Sequence, residues 1–329
     1  MLVRRWLDAA GIADPRLRLA YTACVRMVVA REGDPARLVA RLLPASLRPY
    51  GFALVALVAV ADDLSDTGAP AGRRHRLDAF ADAALTAVAA GDSDQPVLHA
   101  VADTFGVWGL STVPLVDYFE ATRRDIDFTG FATYEDLRSW TRAVGGAMLR
   151  LGWPIFRHPE APGTPPAVLA DVGEAGQFTD ILCDLAVDLR EHRLYLPLAD
   201  LDRFGVEPND LYAGRWSRSV HALIGFEAGR VRARLDGLEA RVLPLTHPAA
   251  GPFVRTMVAR ARLTLDEIVD SGASLLQRPI TPLVGRDMHL WLTEVRSGEA
   301  GRVVPPNPPV ARASLRRVPT GSDDLTRID

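Results

Sequence analysis

Three aspartates at four-residue spacing in an otherwise apolar run constrain this chain more than any other feature. Asp180, Asp184 and Asp188 lie within GQFTDILCDLAVDLREHRLYLP, residues 176–197. On a helix each step of four residues drifts only about 40° around the axis, so the three form one acidic stripe. Phe178, Ile181, Leu182, Leu185 and Val187 interleave with them. An acidic stripe set among apolar neighbours does not suit a plainly solvated face.

The same helical period runs through most of the chain. Leu77–Ala90, Pro114–Arg123, Tyr134–Leu151, Leu169–Arg190, Ser217–Val242 and Pro252–Gly272 are rich in Ala, Leu and Arg and lack β-type alternation. Gly and Pro clusters separate them, as at Gly68-Ala69-Pro70, Pro159–Pro166, Thr246–Pro252 and Pro279–Pro282. No repeat of fixed period stands out. The pattern predicts an all-α fold over residues 1–297, as one large helical domain or two, then a mobile tail over 298–329, where Pro, Arg and Gly replace periodicity.

A second acidic cluster ends the most apolar stretch. Tyr50–Ala61 is a buried-helix pattern of 12 residues that runs into Asp62-Asp63-Leu64-Ser65-Asp66. It is too short for a membrane span, which needs roughly 20 apolar residues. The N-terminal MLVRRWLDAAG has no apolar run of the kind a signal peptide carries. We expect a cytoplasmic protein whose only membrane contact is at the surface, to collect a greasy substrate. Asp62 and Asp66 share a helix face and repel each other. In sequence the cluster has no cationic neighbour, so something else must offset its charge.

Composition narrows the chemistry. All 38 basic residues are arginine, which removes Schiff-base lysine chemistry and the lysine of a P-loop. The net charge of −3 gives no reason to expect nucleic acid. Cys24 and Cys183 form no disulfide framework or zinc cluster. What needs two facing acidic stripes is a diphosphate bridged by Mg²⁺, a hard ion that takes one or two carboxylates together with substrate oxygens and water. Metals and arginines then stabilise the departing diphosphate, and an allylic cation forms in an apolar cavity between helices.

The residues resemble the phytoene/squalene synthase family. Its second motif, approximately A-x-Q-x-T-N-I-L-R-D-x-x-x-D followed by G-R-x-Y-L-P, is matched by Gln177, Thr179, Ile181, Leu182, Asp184, Asp188, Arg193, Tyr195, Leu196 and Pro197. Its D-D-x-x-D motif is matched by Asp62, Asp63 and Asp66. Asp125, Tyr134, Leu137 and Gly146 fit an intervening segment, and Leu42, Leu43, Pro44 and Arg48 one that precedes the first motif. The resemblance covers roughly residues 15–290. It implies an isoprenoid synthase-type helical bundle with a central cleft, binding a prenyl diphosphate and Mg²⁺.

The resemblance and the pattern together nominate Asp62, Asp63, Asp66, Asp180, Asp184 and Asp188 as metal ligands, with Asp62, Asp66, Asp184 and Asp188 central to the chemistry. Gln177, Asp180, Arg193 and Tyr195 are expected at the substrate, and Arg278 as a residue closing the cleft. Trp140, Phe178, Trp153 and Phe156 are expected around an aromatic acceptor.

The chain also departs from the family pattern. Val55, Val58 and Ala59 stand where Tyr-x-x-Cys-Arg is usual, Asp180 replaces Asn and Cys183 replaces Arg. Trp140 takes a Tyr position, and His192 takes a Gly position and is assigned no role. Losing two arginines and gaining a carboxylate disfavours a second diphosphate. The charge pattern favours a neutral acceptor, and resemblance to bacterial members of the family that prenylate aromatic molecules such as carbazoles implies an aromatic one. The expected function is therefore Mg²⁺-dependent transfer of one prenyl group to a neutral aromatic acceptor. Head-to-head phytoene, squalene or presqualene diphosphate synthesis, terpene cyclisation and a non-catalytic relative remain as alternatives.

Overall fold

The computed structural model describes residues 2–32, 41–161 and 167–280, together with His289, Thr293 and Pro309. The tail expected beyond Ser297 lies outside the described residues except for Pro309.

The described residues are predominantly helical, as the periodicity predicts. In order, the helices are α1 (Leu2–Ala9), α2 (Pro15–Glu32), α3 (Arg48–Asp66), α4 (Pro70–Ala90), α5 (Pro96–Trp108), α6 (Val113–Ile126), α7 (Tyr134–Phe156), α8 (Val168–Arg190), α9 (Leu198–Phe204), α10 (Pro208–Tyr212), α11 (Arg218–Leu235), α12 (Leu238–Val242) and α13 (Gly251–Asp270). No strand occurs among the described residues; an isolated antiparallel bridge joins Arg157 and Thr246. No helix among them is long and apolar enough to cross a membrane.

Two apolar cores divide the bundle. The first joins α1 to α6 around α3, whose Ala53, Ala56, Leu57 and Ala61 are fully buried. Small alanines let neighbouring helices approach, and Tyr50 fills the remaining space edge-on against Tyr21 and Trp108. The second core gathers α8 to α13 around Leu182, Leu223, Val220 and Leu265. Helix α7 belongs to both, placing Ala147, Leu151 and Ile155 in the first and Leu137 in the second.

Helix α7 begins at a capping box. The Asp136 amide donates to the Thr133 hydroxyl, and the Asp136 carboxylate accepts from the Thr133 amide. It runs past the expected end at Leu151 and carries Pro154 in its last turn, because Trp153 and Ile155 are buried there. The segment expected as one helix over 217–242 breaks at Gly237, whose φ of 67° suits glycine. Helices α1, α2 and α5 were not legible as separate periodic segments.

Among the described helices the most extensive packing is between α7 and α8, where Gly145 and Gly146 meet Gly173 at backbone contact. A Cβ on Gly173 would lie 2.4 Å from the Gly146 nitrogen, and one on Gly145 would lie 2.4 Å from the Gly173 carbonyl oxygen. Backbone cannot move away as a side-chain tip can. Gly173→Ala should therefore lower stability by about 1–3 kcal/mol, the usual range for overpacking. Gly225→Ala on α11, where an added Cβ meets nothing within 4 Å, should not lower it. Equal melting temperatures for the two variants would contradict this reading of the crossing.

Candidate active site

Between the two cores lies a cavity of about 860 Å³, bounded by α3, α6, α7, α8 and α13. One end is acidic. Asp62 and Asp66 project from the last turns of α3, Asp180, Asp184 and Asp188 from the second half of α8, and Asp125 from α6. The rest is largely apolar, lined by Val55, Val58, Met148, Trp153, Phe156, Phe253 and Met257 among others. Phe156 and Phe253 stack nearly parallel, with ring centroids 6.4 Å apart.

The two stripes are brought together as the spacing requires. Among the described residues no three carboxylates converge closely enough to form a metal cage by themselves. Mg²⁺ is commonly bound by one or two carboxylates together with substrate phosphate oxygens and water, so these aspartates would hold it only in company with the substrate. Asp63 points away from the cavity: its side chain is 64% exposed and pairs with Arg31 at 2.5 Å.

The first stripe does have cationic neighbours, contrary to the sequence expectation. Arg31, at the end of α2, donates to the Ala59 carbonyl oxygen at 3.0 Å and lies 3.8 Å from Asp62. Arg193 donates to Asp66 at 2.8 Å and sits 3.6 Å from Asp188 and 2.8 Å from Glu191, linking both stripes. The contacts with the first stripe could not be read from sequence, because Arg31 lies 28 positions from Ala59 and Arg193 lies 127 from Asp66.

Two tyrosines complete the acidic end. Tyr118 donates to Asp62 at 2.8 Å. Tyr195 donates to both oxygens of Asp125, at 3.1 and 2.9 Å, and stacks on Phe128 and Trp140. Tyr195, expected at a phosphate, is thus engaged with a carboxylate here. Tyr118 was missed in sequence because a tyrosine within an apolar helical stripe reads as core, and its ring is indeed buried.

Burial, reinforced by neighbouring aspartates, pushes three of these carboxyls upward. Asp62 rises to about 6, with Tyr118 and Arg31 opposing the shift. Asp125 also rises to about 6, opposed by the Tyr195 hydrogen bond and Arg193. Asp188 rises to about 7 despite Arg193. Arg193 is correspondingly held protonated above the usual arginine range, by Tyr195 and its carboxylate partners against its own burial.

The remaining nominated residues separate into two groups. Gln177, Asp180 and Trp140 line the cavity. Phe178 does not: it is buried in the second core against Tyr134. Arg278 is exposed and outside the lining. Cys183 is also off the cavity, and burial pushes its thiol up to about 12. Arg48 braces the chain before α3 by donating to the Leu43 and Arg41 carbonyl oxygens. His192, which takes a family glycine position, has φ 59° in the turn that delivers Arg193. The left-handed conformation explains why glycine suits that position.

Comparison with known proteins agrees with this architecture. A profile of the squalene/phytoene synthase family matches residues 29–286. The bifunctional protein CrtB/UppS of Streptomyces coelicolor is 30% identical over 88% of this chain, which spans about half (51%) of that protein's length. The 15-cis-phytoene synthase of Synechococcus elongatus is 29% identical over 71% of this chain and 79% of its own. Among solved structures, squalene synthase HpnC from Alicyclobacillus acidocaldarius superposes with a TM-score of 0.69 at 27% identity, covering 83% of this chain and all of that one. A dehydrosqualene synthase shares the fold with a TM-score of 0.77 at 22% identity, covering 86% and 98%.

Two outcomes follow from this geometry. A carboxyl raised by burial stays protonated further up the pH scale, and a protonated carboxyl is a poor metal ligand. Mg²⁺-dependent binding of inorganic diphosphate, measured calorimetrically, should therefore weaken as pH falls through about 7 and then about 6, where Asp188 and then Asp62 protonate. An isotherm unchanged between those values would contradict the assignment. Separately, His192→Gly should raise the melting temperature by about 2–4 °C by relieving a left-handed non-glycine residue; a fall would show that the imidazole itself stabilises the turn.

Proposed function

The chain belongs to the squalene/phytoene synthase family, and from that premise we propose that it is a Mg²⁺-dependent prenyltransferase that ionises one allylic prenyl diphosphate and passes the prenyl group to a neutral aromatic acceptor. One observation carries this reading. Among the described residues six carboxylates line the cavity (Asp62, Asp66, Asp125, Asp180, Asp184 and Asp188) against two arginines, Arg31 and Arg193, each already paired with aspartates. Such a wall admits one diphosphate with its metals far more readily than two.

Bound Mg²⁺ supplies the charge that lets a diphosphate approach these carboxylates and leave as a stable anion. Asp62, Asp66, Asp180, Asp184 and Asp188 would hold it. Tyr118 and Tyr195 orient Asp62 and Asp125, and Arg193 holds the two stripes in register. The C–O bond of the prenyl diphosphate breaks, with its electron pair leaving on diphosphate. A π pair of the acceptor ring forms the new C–C bond, and the ring proton passes to the released diphosphate. The apolar walls from Val55, Val58, Met148 and Trp153 exclude water from the allylic cation. We place the reaction in the cytoplasm, with the greasy chain collected at a membrane surface.

A second reading, head-to-head coupling of two prenyl diphosphates, is favoured by Arg31. Its guanidinium lies against the Ala59 backbone, where the family pattern carries an arginine on the helix itself. The phytoene and squalene synthases among the relatives point the same way.

Incubation with C10, C15 and C20 prenyl diphosphates and Mg²⁺, with and without indole or carbazole, separates the readings by product mass. An aromatic adduct and one diphosphate per product are expected; a symmetric coupled hydrocarbon would replace this reading with the second. Excess chelator should abolish turnover. Asp62→Ala and Asp184→Ala should each lower it by orders of magnitude while the helical circular dichroism persists. Wild-type rates in both variants would make the stripes structural.

A further inference from the structure

Gly176 occupies the middle of α8, one helical turn before Asp180 and on the same face. A glycine inside a helix is unfavourable relative to alanine and usually has a packing or conformational reason. Gly145 and Gly173 have one, since their backbones touch. Gly176 has neither. It does not share the left-handed φ of the turn glycines, and a Cβ placed on it would meet nothing within 4 Å. Gly51, Gly225 and Gly229 are equally uncrowded, but they do not line the cavity, whereas Gly176 does. The open space above it is therefore space in the active site, adjoining the acidic end where the C–O bond breaks. Trp140 and Val144 of α7 and Ala59 of α3 line the same cavity.

We propose that Gly176 determines which acceptor the cavity admits: the missing side chain leaves a flat berth, against the α8 backbone and one turn from Asp180, in which a planar, neutral acceptor ring lies beside the ionising carbon. This rests on the aromatic-acceptor reading above and assigns that substrate its place. A flat ring packs against exposed peptide groups without needing a counter-charge, and Trp140 offers an aromatic edge or face to it. A methyl or isobutyl group at position 176 would occupy the berth while leaving every carboxylate of both stripes intact. The intercepted cation would then meet water, giving the free prenyl alcohol and a proton in place of the adduct.

The test compares wild type, Gly176→Ala and Gly176→Leu with Mg²⁺, the C15 prenyl diphosphate and carbazole or indole. Both substitutions replace glycine by a better helix former, so melting temperatures should hold or rise. Affinity for inorganic diphosphate with Mg²⁺ should stay within about twofold, since no metal or phosphate ligand changes. Adduct formation should fall by roughly 10- to 200-fold in Gly176→Leu, the usual effect of a misplaced aliphatic group in a binding pocket. Gly176→Ala should lie between, and the ratio of prenyl alcohol to adduct should rise in that order. Adduct yield in Gly176→Leu equal to wild type, or parallel loss of diphosphate affinity, would overturn the proposal. If wild type forms no adduct with either acceptor, the aromatic-acceptor reading fails and this inference falls with it; if wild type forms adduct and Gly176→Leu matches it, only this inference fails.

Discussion

The partial burial of mutually repelling carboxylates on two facing helices is the constraint on which the rest of this structure depends. Asp62 and Asp66 on α3 face a cavity shared with Asp180, Asp184 and Asp188 on α8, and Asp125 adds a further acid from α6. Each pKa unit of upward shift corresponds to about 1.4 kcal/mol of differential cost for the charged form. With Asp188 raised to about 7 by burial and by its neighbours, holding that group ionised costs the empty protein a few kcal/mol. Arg193 and Arg31 offset part of the repulsion, and Tyr118 and Tyr195 fix two of the carboxylates by hydrogen bonds. The remainder is the attraction available to a divalent cation carrying a diphosphate.

A strained acidic end persists only on a rigid frame. The frame here is two apolar cores joined by α7, with the glycine contact between α7 and α8 fixing the distance from wall to wall. Apart from the acids the cavity between the cores is lined largely by apolar side chains, the stacked Phe156 and Phe253 among them. Charge separation at one end and a dry interior beyond it are what ionisation to an allylic cation requires. In the proposed reaction the same helices would hold the leaving group and sequester the cation.

The acidic end was legible in sequence because helical spacing alone sets which aspartates share a face. The period of four in Asp180, Asp184 and Asp188 survives into the structure, and the apolar run before Asp62 becomes the buried α3. What was not legible came from contacts between distant segments. Arg31 reaches Ala59 and Asp62 from another helix, so the first stripe looked bare of cations. Phe178 and the cavity-lining aromatics have the same composition, and only the rotation of α8 sends Phe178 into the core while Gln177 faces the cavity. Asp63 and Asp62 are adjacent in sequence, yet the 100° between them around the helix puts one outside and one inside. His192 shows the converse, a position whose family glycine became intelligible only once its φ was known.

The central claim is that these carboxylates are retained against stability because they hold a metal-bound diphosphate. Asp188→Asn tests it most directly through paired thermal melts at about pH 8, one without metal and one with Mg²⁺ and inorganic diphosphate. Removing a buried charge should raise the metal-free melting temperature above that of wild type, and the further rise produced by Mg²⁺ and diphosphate should shrink or vanish. A metal-free variant that melts lower than wild type yet keeps the full gain from Mg²⁺ and diphosphate would show that Asp188 supports the fold and not the ligand, and would contradict the account.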